Sequence, residues 1–74
     1  LKKKEPRYWY YQYDGGTYFC KPGGHHVVAM YKKENNSLQV DVGMGETVYL
    51  SPHMSDLDEI AEFIYEFRMK KGLE

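Results

Sequence analysis

The run Gly23-Gly24-His25-His26 is where this 74-residue chain comes closest to catalytic chemistry. A histidine at a strand start beside a flexible glycine turn could act as a general base near neutral pH. Neighbouring positions of a strand face opposite sides, so His25 and His26 cannot both serve one undistorted site, and a metal site made from this pair is not expected. His53, directly after Pro52, could approach one of them across a sheet end, and His25 and His53 are the candidate catalytic residues. The competing reading makes the histidines surface or capping residues. Cys20 is the sole cysteine, which excludes an intrachain disulfide and a multi-cysteine zinc site and fits a reducing compartment. Among aromatic neighbours it reads as a small core residue rather than a thiolate nucleophile. No glycine-rich phosphate loop precedes a helix and no nucleophile elbow is present. The expectation is therefore a non-enzymatic module with no cofactor and no metal.

Composition narrows the partners. A formal net charge of −1 gives no general attraction for nucleic acid or an anionic membrane surface. Residues 1–55 carry seven bases and five acids (net +2), whereas residues 56–71 carry three bases and five acids (net −2). Lys2, Lys3, Lys4 and Arg7 cluster in the first seven residues, which read as a basic, frayed terminus, with a clamp for phosphate or an acidic partner as the alternative. The longest apolar run, residues 27–31, falls far short of the roughly 20 residues a membrane-spanning helix needs, and no signal-peptide pattern precedes the first strand. A soluble, cytoplasmic protein with no membrane partner is the expectation. Leu73 and Glu74 resemble a cloning-derived tail and are left out of the predicted domain, residues 1–72.

A chain this short holds one core, and a core of this size rarely supplies more than about 3 to 5 kcal/mol. The pattern predicts an α+β fold: an antiparallel meander of about five short strands packed on one C-terminal helix. Strands are expected at 8–13, 17–21, 25–33, 37–42 and 46–50, separated by Gly, Pro and Asn turns. Asp14-Gly15-Gly16 supplies the positive-φ residues of a tight hairpin. A turn at Asp14-Gly15 pairs Tyr11 with Tyr18, and one at Gly15-Gly16 pairs Tyr11 with Cys20; either way Trp9, Tyr11, Tyr13, Tyr18 and Cys20 share one face. Leu38, Val40 and Val42 alternate with Ser37, Gln39 and Asp41. A three-residue loop ending at Asn36 would pair Met30 with Val40 and set the register. Leu57, Ile60, Ala61, Ile64 and Phe67 recur at helical spacing, with Ser55 as the expected N-cap, Asp58 as the acidic half of a capping box, and bases in the last turn.

One helix covers one sheet face. That face is expected to hold Trp9, Tyr11, Tyr18, Cys20, Val28, Met30, Leu38, Val40, Val42, Val48 and Leu50. The opposite face would then carry Tyr8, Tyr10, Phe19, Tyr31 and Tyr49, flanked by Lys21 and Lys33, and these seven are the predicted binding residues. Exposed aromatics of this kind serve interfaces, although tyrosine and phenylalanine also favour pleated strands for their own packing. A protein partner or a homodimer is the leading expectation, and single-stranded nucleic acid stacking on the rings is the alternative.

Two resemblances accompany these residues. The glycine turn with its histidine pair, the strand after it, the Pro52-His53 step and the helix loosely resemble, over residues 15–64, fragments of the HicA-type messenger-RNA-cleaving toxins. That resemblance implies a small ribonuclease using His25. The family's leading helix and basic character are absent here, and Gly24 stands where a small hydroxyl residue is expected. The order of several strands followed by one helix is similar to the fold of single-stranded-DNA-binding transcriptional coactivators, whose sheets carry basic and aromatic residues; here Lys21 and Lys33 are offset by Asp41.

Overall fold

The computed structural model describes residues 8–73. Strands β1 (Trp9–Tyr13), β2 (Gly16–Cys20), β3 (Val27–Lys32), β4 (Ser37–Asp41) and β5 (Thr47–Leu50) form one antiparallel sheet in chain order, and a single helix, α1 (Leu57–Lys70), follows. This is the α+β meander that the alternation and the helical stripe predict. Among the described residues no helix is long and apolar enough to cross a membrane. The basic cluster Lys2, Lys3, Lys4 and Arg7 lies outside the described residues.

The first hairpin follows from its turn. Asp14 and Gly15 take φ values of 52° and 79°, the two positive angles of a twist-matched two-residue loop, and Tyr13 pairs with Gly16 and Tyr11 with Tyr18. The β3–β4 connection differs from the sequence expectation. Lys33–Asn35 forms a 3-10 turn and Asn36 follows at φ 50°, so four residues separate the strands and Lys32 pairs with Ser37. Ala29 then faces Val40 and Tyr31 faces Leu38, where the three-residue loop would have set Met30 against Val40.

That single-residue slip exchanges the faces of the first three strands, because side chains alternate with a period of two. The helix lies on the side of Leu38 and Val40, and the same side now takes Tyr8, Phe19, Ala29 and Tyr31, all buried together with Ile60, Ala61 and Ile64. Trp9, Tyr11 and Tyr13, with Tyr18 and Met30, turn to the opposite side. The predicted sharing of faces within the first hairpin holds, but the assignment of the covered side is reversed. Val28 is also buried. A register shift between Phe19 and Cys20 pairs Cys20 with Val27, leaving Val28 as the extra residue of a bulge that directs it into the core.

Helix α1 is capped one residue later than expected. Asp56, not Ser55, is the N-cap, its carboxylate accepting from the amides of Asp58 at 2.8 Å and Glu59 at 3.4 Å. Asp58 is instead engaged by Tyr10, so no capping box forms. At the far end Gly72 adopts φ 80°, its amide reaches the Met69 carbonyl, and the Leu73 amide reaches the Arg68 carbonyl at 3.0 Å. These two bonds make a Schellman ending. Leu73, excluded in the sequence reading, therefore takes part in the fold. The buried Arg68 guanidinium donates through Nη1 to the Asp41 carbonyl, tying the last helical turns to the end of β4.

Candidate interaction face

The sheet face opposite the helix holds the largest uncovered aromatic surface among the described residues. The register sets Tyr11, Tyr18, Met30, Gln39 and Tyr49 in one row across all five strands. Beside that row stand Trp9 and Tyr13 on the edge strand β1. Trp9 is 37% exposed, Tyr11 42%, Tyr13 69% and Tyr49 68%. The rings of Tyr11 and Tyr18 stack at 5.4 Å between centroids, Trp9 lies 5.7 Å from Tyr11, and His25 meets Trp9 edge-on at 5.4 Å. His25, Trp9, Tyr11 and Tyr18 thus form a continuous strip over the β1–β2 half of the sheet. Met30 extends it toward β3, where its sulfur lies 3.4 Å from the point a Cβ on Gly16 would occupy. The absence of a side chain at Gly16 leaves the thioether room to lie flat. Beyond Met30 the face turns polar through Gln39 and Asp41, with Tyr49 on the far edge strand.

Polar atoms distinguish the two faces. On the helix side, the Tyr10 hydroxyl donates to Asp58 Oδ1 at 2.6 Å and the Tyr31 hydroxyl to Asn36 Oδ1 at 3.3 Å; Asn36 in turn donates to the Pro52 carbonyl. The bond to Asp58 is the main cause holding the Tyr10 phenol above its ordinary pKa, followed by burial and then by the negative charges of Asp58 and Asp56. On the outer side, Trp9 Nε1 donates to the carbonyls of Lys21 and Gly24, both at 3.0 Å, which locks the indole over the β2–β3 loop. No intramolecular hydrogen bond engages the hydroxyls of Tyr11, Tyr13, Tyr18 or Tyr49 among the described residues. Those rings have apolar bodies exposed and polar tips free, the combination interfaces favour.

Of the predicted binding residues, Tyr8, Phe19 and Tyr31 are buried beneath the helix, and half-buried Tyr10 is tied to it through Asp58; their assignment to an outer surface is corrected by the β3–β4 register. Tyr49 is exposed on the outer face as expected. Lys21 is half-buried just past β2, under the Trp9 indole bond, and Lys33 is exposed in the 3-10 turn. The residues missed are Trp9, Tyr11, Tyr13, Tyr18 and Met30. Counting four rather than three residues in the Lys33–Asn36 connection would have found them.

The candidate catalytic residues His25 and His53 are not brought together. His25 contacts the Trp9 ring and His53 is exposed in the connection before α1, with no hydrogen bond or ring contact joining them. No group of three or more His, Cys, Asp or Glu side chains suited to a metal ion occurs among the described residues. Cys20 is fully buried, and burial pushes its thiol pKa up, which disfavours the nucleophilic thiolate. A cavity of about 500 Å³ opens at the tip of the first hairpin toward the start of α1, bordered by Gln12, Asp14, Thr17, Lys33 and Ser55. Its lining includes both a carboxylate and an ammonium, so charge selects no ligand sign. Comparison with protein-family models, curated proteins and solved structures yields no match for this chain.

Proposed function

We propose that this domain is a non-enzymatic interaction module that engages a protein surface through the outer aromatic face. The observation that carries the reading is the strip of Trp9, Tyr11 and Tyr18 with Tyr13 and Met30 beside it: large rings in mutual contact, left uncovered although the core beneath the helix is complete. Aromatic anchors provide large contact area at low side-chain entropy cost, and a few central ones dominate an interface. Protein is favoured over nucleic acid by charge. The exposed Lys32 and half-buried Asp41 both lie on this face and Asp14 closes its hairpin, so its charges offset one another, whereas single-strand binders line their stacking platforms with a basic groove.

The test uses the chain's sole tryptophan, which sits on the face itself. Peptides selected from a random library on the immobilised domain are titrated while Trp9 emission is followed, alongside a single-stranded oligothymidine at low and high salt. The selected peptides are expected to shift Trp9 emission and to bind Tyr18→Ser at least about fivefold more weakly, with little salt dependence. Selected peptides indifferent to Tyr18→Ser, or steeply salt-dependent oligonucleotide binding in their place, would overturn the reading.

A further inference from the structure

We infer that strand β1 is a self-pairing edge, and that two copies of this chain join through it, antiparallel about Tyr11, into one continuous ten-stranded sheet. The inference rests on the reading of the domain as an interaction module and names a second copy as one partner. β1 lies at the end of the strand order and pairs with β2 alone among the described strands. In a two-residue hairpin the pair flanking the turn exchanges both main-chain bonds, here Tyr13 with Gly16, and bonded pairs alternate from there. Tyr13, Tyr11 and Trp9 therefore spend their amides and carbonyls on β2, and those of Tyr10 and Gln12 point to the free edge.

A two-fold axis through Tyr11 sets Tyr10 opposite Gln12 of the second copy and Gln12 opposite its Tyr10, the two positions whose main-chain groups are available. The non-bonded positions between them bring Tyr11 against Tyr11 and Trp9 against Tyr13 on the outer face. Side chains approach closest at such positions, and aromatic pairs stabilise them. The sequence of β1, Trp-Tyr-Tyr-Gln-Tyr, contains no charge, so this pairing opposes no like charges. It also lacks the usual protections of an edge: no lysine, no proline and no bulge interrupts Trp9–Tyr13. The other edge, β5, is a residue shorter. Pairing at β1 brings the aromatic strips of both copies together on one side of the joined sheet and covers part of Tyr13, which one copy alone leaves 69% exposed.

The test is sedimentation equilibrium over a wide concentration range on the wild type, Gln12→Pro and Tyr18→Ser, with amide hydrogen exchange on the wild type. Proline at residue 12 removes a free-edge amide without touching a bond to β2, a placement edge strands tolerate. The wild-type mass is expected to rise toward twice that of one chain, and Gln12→Pro to weaken the dimer at least about tenfold while keeping the wild-type far-UV spectrum. The amides of Tyr10 and Gln12 are expected to exchange more slowly in concentrated than in dilute solution, a measurement that decides the matter even where the proline variant does not fold. A wild-type mass of one chain at every concentration, or rapid exchange of both amides in the dimer, would overturn the inference. A dimer that survives Gln12→Pro but is lost in Tyr18→Ser also overturns it, while leaving the outer face as the contact surface. Peptide binding at the outer face by a strictly monomeric protein likewise separates the two readings.

Discussion

Replacing Tyr10 by phenylalanine removes one oxygen from the side of the sheet that the helix covers, and its cost measures how firmly α1 is fastened to β1. The phenol donates to Asp58 Oδ1 at 2.6 Å, in the first turn of the helix and 48 residues away in sequence. The ring itself keeps its contact with Phe19, at 5.4 Å between centroids, so packing changes little. A hydrogen bond to a charged group is worth about 1.5 to 3 kcal/mol, and partial solvent access at this site places the expected loss at the lower end, about 1 to 2 kcal/mol. For a domain of this size that corresponds to a fall in Tm of roughly 4 to 15 °C. The assay is thermal and urea unfolding of the wild type, Tyr10→Phe, Asp58→Ala and the double variant, with a coupling of about 1 kcal/mol expected between the two sites. The pH dependence has a definite sign. Because the folded phenol titrates above its unfolded value of 10.0, the folded state holds its proton more tightly, and the advantage over Tyr10→Phe is fully present below that value. It is lost as pH rises through the folded pKa. Subtracting the Tyr10→Phe curve cancels the other tyrosines. Additive single variants, or an advantage undiminished in strong alkali, would refute the bond as a fastener between helix and sheet.

Two shorter expectations follow from the core and from the histidines. Ile64→Asp puts a carboxylate at a position with 0% exposure under the sheet, a cost of several kcal/mol that matches or exceeds the whole stability of so small a domain; circular dichroism should show no cooperative thermal transition, and a wild-type melting temperature would contradict the packing. Purified protein should leave RNA intact without added metal, and His25→Ala should change nothing in that assay; cleavage dependent on His25 would restore the ribonuclease reading.

Much of the architecture is legible in the sequence because its signals are local. The stripe of Leu57, Ile60, Ala61 and Ile64 is separated from the charged positions by helical spacing alone, and Asp14-Gly15 fixes the first hairpin through its two positive φ angles. The left-handed conformation of Asn36 is equally local. Which face meets the helix is not. It depends on the parity of a single loop, and Lys33–Asn35 gains one residue by winding into a 3-10 turn rather than a tighter reversal. Composition cannot correct the error, since the segment 8–13 is aromatic on both sides: Tyr8 and Tyr10 against Trp9, Tyr11 and Tyr13. Tyr31 shows the consequence. In the sequence it reads as an interface anchor, yet it is 3% exposed and bonded to Asn36 beneath the helix. Asp56 in place of Ser55 is a smaller miss of the same kind, because both residues can cap and the chain path after Pro52 decides between them.

The hydroxyls explain why the reversed assignment is the stable one. A tyrosine placed under the helix must find a partner for its oxygen or lose about 1 to 3 kcal/mol to desolvation. Tyr10 reaches Asp58 on the helix and Tyr31 reaches Asn36 in the β3–β4 connection. The indole of Trp9 has a single donor, and the carbonyls within its reach belong to the loop after β2, at Lys21 and Gly24. Turning Trp9 inward would carry that donor away from both carbonyls and under the helix. Held outward by two bonds, the same ring is fixed in orientation before any partner arrives, and a fixed ring loses little further entropy on contact. Tyr11 is held against it, and Tyr18 against Tyr11, by ring contacts. The bonds that keep Trp9 out of the core are therefore the ones that would make it a preorganised anchor, and the proposed interaction face is a direct consequence of how the fold satisfies its aromatic polar groups.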